Sequence, residues 1–192
     1  MCTRLLAVLT TALLLVGVAG GSASAQEADL HDARGDMWRS DFSGYTEPAP
    51  RTRTGDVRRA LVTHGHSKVV IRQRFVDLRR IGDYSLFTAR IQTGAKLYRE
   101  LQVEASRHGW RGTAKVFNRR GDRVACDAGH QIDYARNVVV MSVPRSCLNN
   151  PNRVRATAGN YWAHRQRGVF LMDNPHNERA TSNAWTQWIR TG

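Results

Sequence analysis

The chain has 192 residues, 41% of them hydrophobic, and a formal net charge of +13 at pH 7. That size suits a single domain. No apolar run after the N-terminal segment approaches the ~20 residues of a membrane helix, which leaves no candidate for a membrane-spanning helix there. All but three of the 29 basic residues are arginine, and charge of this sign steers a protein towards polyanions and releases their counterions.

The first elements in chain order are those of an export signal. Met1 to Arg4 form a short positive head, Leu5 to Val18 an apolar run, and Ala23-Ser24-Ala25 a small-residue cleavage site. The sequence therefore predicts a signal peptide over 1–25, cleaved near Ala25, and a secreted mature chain. Cys2 precedes the apolar run and leaves with it. The remaining Cys126 and Cys147 then pair as a disulfide, as two cysteines in an oxidising compartment do.

Residues 26–54 offer Met37, Trp38, Phe42 and Tyr45 as apolar anchors among Gly, Ser, Thr and two prolines. They are expected to form an extended arm with at most one short strand. From Gly55 to residue 176, short β-branched runs alternate with turn residues every 8 to 12 positions, the spacing of a sandwich. Residues 177–192 are expected to form a tail with a short helical turn around Trp185 and Trp188.

Hairpin registers follow from keeping apolar residues on one face. A turn at Gly65-His66 sets Val62 against Val69 and Ala60 against Ile71, with Arg59, Arg72 and Arg74 on the other side. A turn at Thr93-Gly94-Ala95 sets Ile91 against Leu97 and Phe87 against Leu101. A tip at Arg107 to Trp110 sets Leu101 against Val116, and a tip at Arg119 to Gly121 sets Val116 against Val124. Gln131–Tyr134 and Asn137–Val143 make a further hairpin. Val154–Ala158 and Val169–Met172 close the fold.

Several segments resemble small secreted bacterial β-sandwich proteins. They are Gly55-Asp56-Val57, Val69–Leu78, Ile132-Asp133-Tyr134, Val138–Leu148, Pro151–Arg155, and Asp173 with Pro175. The strand order is similar to the jelly roll of DOMON domains and family-9 carbohydrate-binding modules. The resemblance implies an all-β, jelly-roll-like antiparallel sandwich with a concave sheet for a sugar or other small ligand. No haem-ligand set or aromatic sandwich carries over.

Among chemistry-bearing residues, Arg72, Arg74, Arg90 and Lys115, with Tyr98 and Gln102, would clasp an acidic ligand through the arginine fork. The opposing reading has Glu100 and Glu104 neutralise them as surface ion pairs. Trp110, Tyr161-Trp162, Trp185 and Trp188 are either sugar-stacking platforms or covers for the ends of the sandwich. His64-Gly65-His66 lacks the third ligand a zinc site needs. Asp32, Asp36 and Asp41 lack the spacing of an EF-hand, so no metal site is expected. The tripeptides Arg34 to Asp36 and Arg120 to Asp122 read as turn chemistry before adhesion motifs.

No nucleophile elbow or Cys/His pair occurs; Glu100 and Glu104, two strand steps apart on one face, have a separation that could suit an acid/base pair. The expected function is a secreted, non-catalytic binding module without a cofactor. Its ligand would be carbohydrate or a polyanionic envelope polymer, through Arg72, Arg74, Arg90, Tyr98, Glu100, Gln102, Trp110 and Lys115. The alternatives are an extracellular structural or protein-interaction domain and, third, a glycan-acting hydrolase. Sequence-specific nucleic-acid binding is not expected.

Overall fold

The computed structural model describes residues 25–41, 43–164, 168–174 and 184–192. The expected signal peptide lies outside them apart from Ala25. Two antiparallel sheets pack face to face, and no α-helix occurs among the described residues. The first sheet comprises β1 (Gln26–His31), β4 (Val57–His64), β5 (Lys68–Phe75), β10 (Gly129–Asp133) and β11 (Val138–Pro144), in the order β1-β4-β5-β11-β10.

The second sheet runs from β3 (Thr46–Pro48) through β2 (Trp38–Asp41), β13 (Val169–Asp173), β12 (Arg153–His164), β6 (Tyr84–Thr93), β7 (Tyr98–Ser106) and β8 (Gly109–Phe117) to β9 (Arg123–Val124). The short β14 (Ile189–Arg190) pairs with β12 beside β13.

Alternation explains the layers. Val62, Val69, Ile71 and Phe75 project from the first sheet, and Phe87, Ala89, Ile91, Leu101, Val103, Val116 and Ala156 project from the second. All are buried, so the apolar set of each strand meets that of the facing sheet. Phe75 and Phe87 meet edge to face across the layers, with ring centroids 5.7 Å apart. The buried Gln73 of β5 donates from Nε2 to the carbonyls of Thr88 and Gly159 in the facing sheet, at 3.1 and 3.3 Å. Cys126 follows β9 and Cys147 sits in the 3₁₀ turn Arg145–Leu148 after β11; their disulfide joins the two sheets at one end.

Two registers differ from expectation by two residues. Val62 faces Ile71 because the turn spans Gly65 to Lys68, with Gly65 N donating to Lys68 O. Phe87 faces Val103 because Lys96 adopts a positive φ of 65° in the β6–β7 turn. A two-residue shift leaves every side chain on its face. The pairs Leu101–Val116 and Val116–Val124 are as expected.

The arm is more structured than expected. It supplies three strands, and β1 pairs with β4 from Arg59 to His64 while β2 and β3 extend the second sheet. Their backbone groups find partners on existing sheet edges, which a sparse apolar pattern does not disclose. The helical turn expected around Trp185 and Trp188 is absent. Residues 184–192 continue the edge of β12 instead, with Thr186 N donating to Ala156 O and Thr186 Oγ1 accepting from Ala156 N.

Candidate functional site

The expected ligand-binding residues divide among three places. Arg90, Tyr98, Glu100, Gln102 and Lys115 alternate with the buried residues of β6, β7 and β8, so they share the outer face of the second sheet. Arg72 and Arg74 lie on β5, in the other sheet, and face outwards on the opposite side of the sandwich. They cannot join the same ligand. Outward parity is identical in both strands; the link between β5 and β6 carries the chain from one sheet to the other.

Trp110 is also displaced from that face. It meets Tyr134 edge to face at 6.3 Å, and the Tyr134 hydroxyl donates to the Trp110 carbonyl at 3.0 Å. It therefore closes an end of the sandwich. Burial pushes the Tyr134 phenol up to about 12, so it remains a donor. Trp162 is a core residue at 1% exposure. His64 is buried as well: Nδ1 donates to the Ile189 carbonyl at 3.1 Å, and Nε2 lies 3.3 Å from the Thr191 hydroxyl.

On the outer face, the carboxylates neutralise the cations beside them. Arg90 Nε donates to Glu100 Oε2 at 3.3 Å, Tyr98 donates to the same oxygen at 3.1 Å, and Gln102 donates to Oε1 at 2.9 Å. Burial and the charge of Glu100 push the Tyr98 phenol up to about 12. Lys115 and Glu104 pair at 4.0 Å. Both glutamates thus have a cationic neighbour on this face.

The neighbouring edge of the sheet differs. Arg155 lies opposite Gln92, which lies opposite Tyr98. Its guanidinium sits 5.1 Å from the ring centroids of both Trp185 and Trp188, and that of Arg153 sits 4.9 Å from Trp188. Arg119 lies 5.4 Å over Tyr98. Trp188 is 39% exposed. Arg153 and Arg190 are direct cross-strand partners across β12 and β14, an unfavourable placement for like charges. Among the described residues no carboxylate pairs with Lys96, Arg153, Arg155 or Arg190.

Beside this edge opens a cleft of about 910 Å³, lined by Lys96, Leu97, Leu148, Asn150, Arg153 and Arg190 among others. Gly94 makes room for it: a Cβ there would stand 2.9 Å from Arg153 Nε. No family model, curated protein or solved structure matches the chain.

Trp185 and Trp188 are legible in the sequence as candidate platforms, but their proximity to Arg153 and Arg155 is not. Outward alternation along Arg153-Val154-Arg155 was the available signal. The pairing of the C-terminal segment with β12, which brings the rings over those guanidiniums, has no such signal.

Proposed function

We propose that the protein is an extracellular, non-catalytic module that binds acidic carbohydrate, such as a uronate-bearing envelope polysaccharide. The ligand would lie along Trp188, Trp185 and the cleft of Lys96, Arg153 and Arg190. The carrying observation is that these cations have no carboxylate partner among the described residues and adjoin exposed aromatic surface. Ring faces stack on sugar planes, and guanidiniums bind carboxylates through two parallel hydrogen bonds. The jelly-roll-like sequence pattern and the expected export signal support the same reading.

Binding of the purified protein to neutral and acidic polysaccharides at low and high salt tests it. Retention by acidic chains that weakens with salt is the expected result. No retention by any glycan, with recovery of a single protein partner from the secreted fraction, would replace it with the interaction-domain reading.

A further inference from the structure

At the end of the sandwich where the arm meets the sheets, four aspartates from three segments gather. Asp32 and Asp36 lie in the β1–β2 connection, Asp56 precedes β4, and Asp173 ends β13. Asp32, Asp36 and Asp173 each offer a carboxylate oxygen, and these oxygens all lie within 4.8 Å of one another. Calcium–oxygen distances of about 2.3–2.6 Å allow opposite ligands to stand up to about 5 Å apart, so the cluster has the span of a calcium shell. All the acidic donors are oxygens, which suits a hard cation over zinc.

Two buried groups beside the cluster point to a ligand independently of the acids' number. Asn160 is fully buried, and neither its Oδ1 nor its Nδ2 has a hydrogen-bond partner among the described residues. It is the direct cross-strand partner of Asp173, so its side chain lies on the same face of the sheet. Its Nδ2 would stand 2.9 Å from a Cβ at Gly55, the neighbour of Asp56. Asp56 is 2% exposed; its Oδ2 accepts from Gly35 N at 2.8 Å, while Oδ1 has no partner among the described residues. Such groups are costly to bury without a compensating partner.

We propose that Asp32, Asp36 and Asp173 bind a calcium ion, with Asp56 and the Asn160 carboxamide beside them as further oxygen donors, and that the ion fastens the arm to the sandwich. Electrostatics agree with the geometry. Burial, joined by the charges of Asp36 and Asp56, pushes the Asp173 carboxyl up to about 8. Burial, then the charge of Asp36, also raises that of Asp56 against the hydrogen bond from Gly35 and the charges of Arg34 and Arg58. A divalent cation relieves this repulsion. The site explains the first Arg-Gly-Asp tripeptide: Gly35 has φ +78° and lies against the Pro50 carbonyl, which turns Asp36 back to the cluster. Asp41 is not part of it, because its Oδ1 accepts from Ser43 and Tyr45 in the β2–β3 turn. Spacing along the chain hid the site, since its donors come from segments far apart in sequence.

The test is thermal melting of EDTA-stripped protein with added calcium, together with terbium luminescence excited through tryptophan; Trp162 is buried beside Gly55. At calcium a hundred times its dissociation constant, the melting temperature should rise by about 5–10 °C. Calcium should also quench the terbium signal. Asp36→Asn should abolish the calcium response and raise the melting temperature in EDTA, because it removes repulsion. Asp32→Asn provides the same comparison should Asp36→Asn fail to fold, and Asp127→Asn, at an exposed position, should respond as wild type. Equal melting of wild type in calcium and EDTA with no terbium signal overturns the proposal, as does a full calcium response in a folded Asp36→Asn or Asp32→Asn protein.

Discussion

Arg155 donates from both Nε and Nη2 to a single acceptor, Oε1 of Gln92, at 2.8 and 2.6 Å. The shared acceptor fixes the guanidinium near Trp185 and Trp188 while leaving its charge without a carboxylate partner among the described residues. Pre-orientation lowers the entropy lost when a ligand is bound. Gln92→Ala should therefore weaken binding of an acidic polysaccharide severalfold without lowering the melting temperature. Isothermal titration beside a thermal melt separates the two effects.

Substitutions in the candidate edge and on the opposite sheet should behave differently. Trp188→Ala and Arg153→Ala are each expected to cost about tenfold in affinity, or ~1.4 kcal/mol. The Arg72→Ala/Arg74→Ala double variant should retain wild-type affinity apart from a small loss of general charge attraction. Glu100→Gln should bind an acidic chain as well as or better than wild type, since it deletes a like charge. A loss of glycan turnover in that variant would instead support the hydrolase reading.

Glycine at position 55 is required for two reasons that a pair of substitutions separates. Gly55 and Gly121 have similar positive φ values, +89° and +85°. A Cβ at Gly55 would lie 2.6 Å from Trp162 Nε1, whereas one at Gly121 meets open space. Gly121→Ala should cost about 1 kcal/mol from backbone strain alone. Gly55→Ala should cost at least about 2 kcal/mol more, because the buried indole cannot withdraw. Urea midpoints of the two variants measure the difference.

His64 gives stability a defined pH dependence. Burial lowers its pKa from 6.5, the charge of Arg145 adds to this, and the hydrogen bond to Ile189 opposes it. The folded state therefore disfavours the proton that the unfolded chain accepts. Its contribution is fully present above the unfolded value of 6.5 and is lost as pH falls from there through the lower folded value. As pH falls below 6.5 the urea midpoint of the wild type should drop relative to that of His64→Asn, while Asp173, raised to about 8, shifts both curves alike in the opposite direction. Identical slopes for both proteins would remove His64 as a source of the pH dependence.

The disulfide closes the segment between Cys126 and Cys147, a sequence separation of 21. In the chain-entropy model a loop of this size contributes roughly 3 kcal/mol. The Cys126→Ser/Cys147→Ser variant should be less stable by about that amount in urea, and dithiothreitol should lower the wild-type midpoint while leaving the variant's unchanged.

Alternation along single strands was enough to determine the all-β class and the inward face of each central strand, and the presence of only two cysteines beyond the expected signal was enough for the disulfide pair. Side-chain parity is a local property, and it survives the two-residue register shifts at Val62 and Phe87. Local pattern could not say that Arg72 and Arg90 occupy opposite sides of the molecule, since both point outwards from their own strands. Nor could it show that Trp188 reaches Arg153 and Arg155, or that Asp32, Asp36, Asp56 and Asp173 converge beside Asn160. Those relationships depend on which strands share a sheet and how the terminal segments fill its edges. Long-range pairing decides both, and it leaves no period in the sequence.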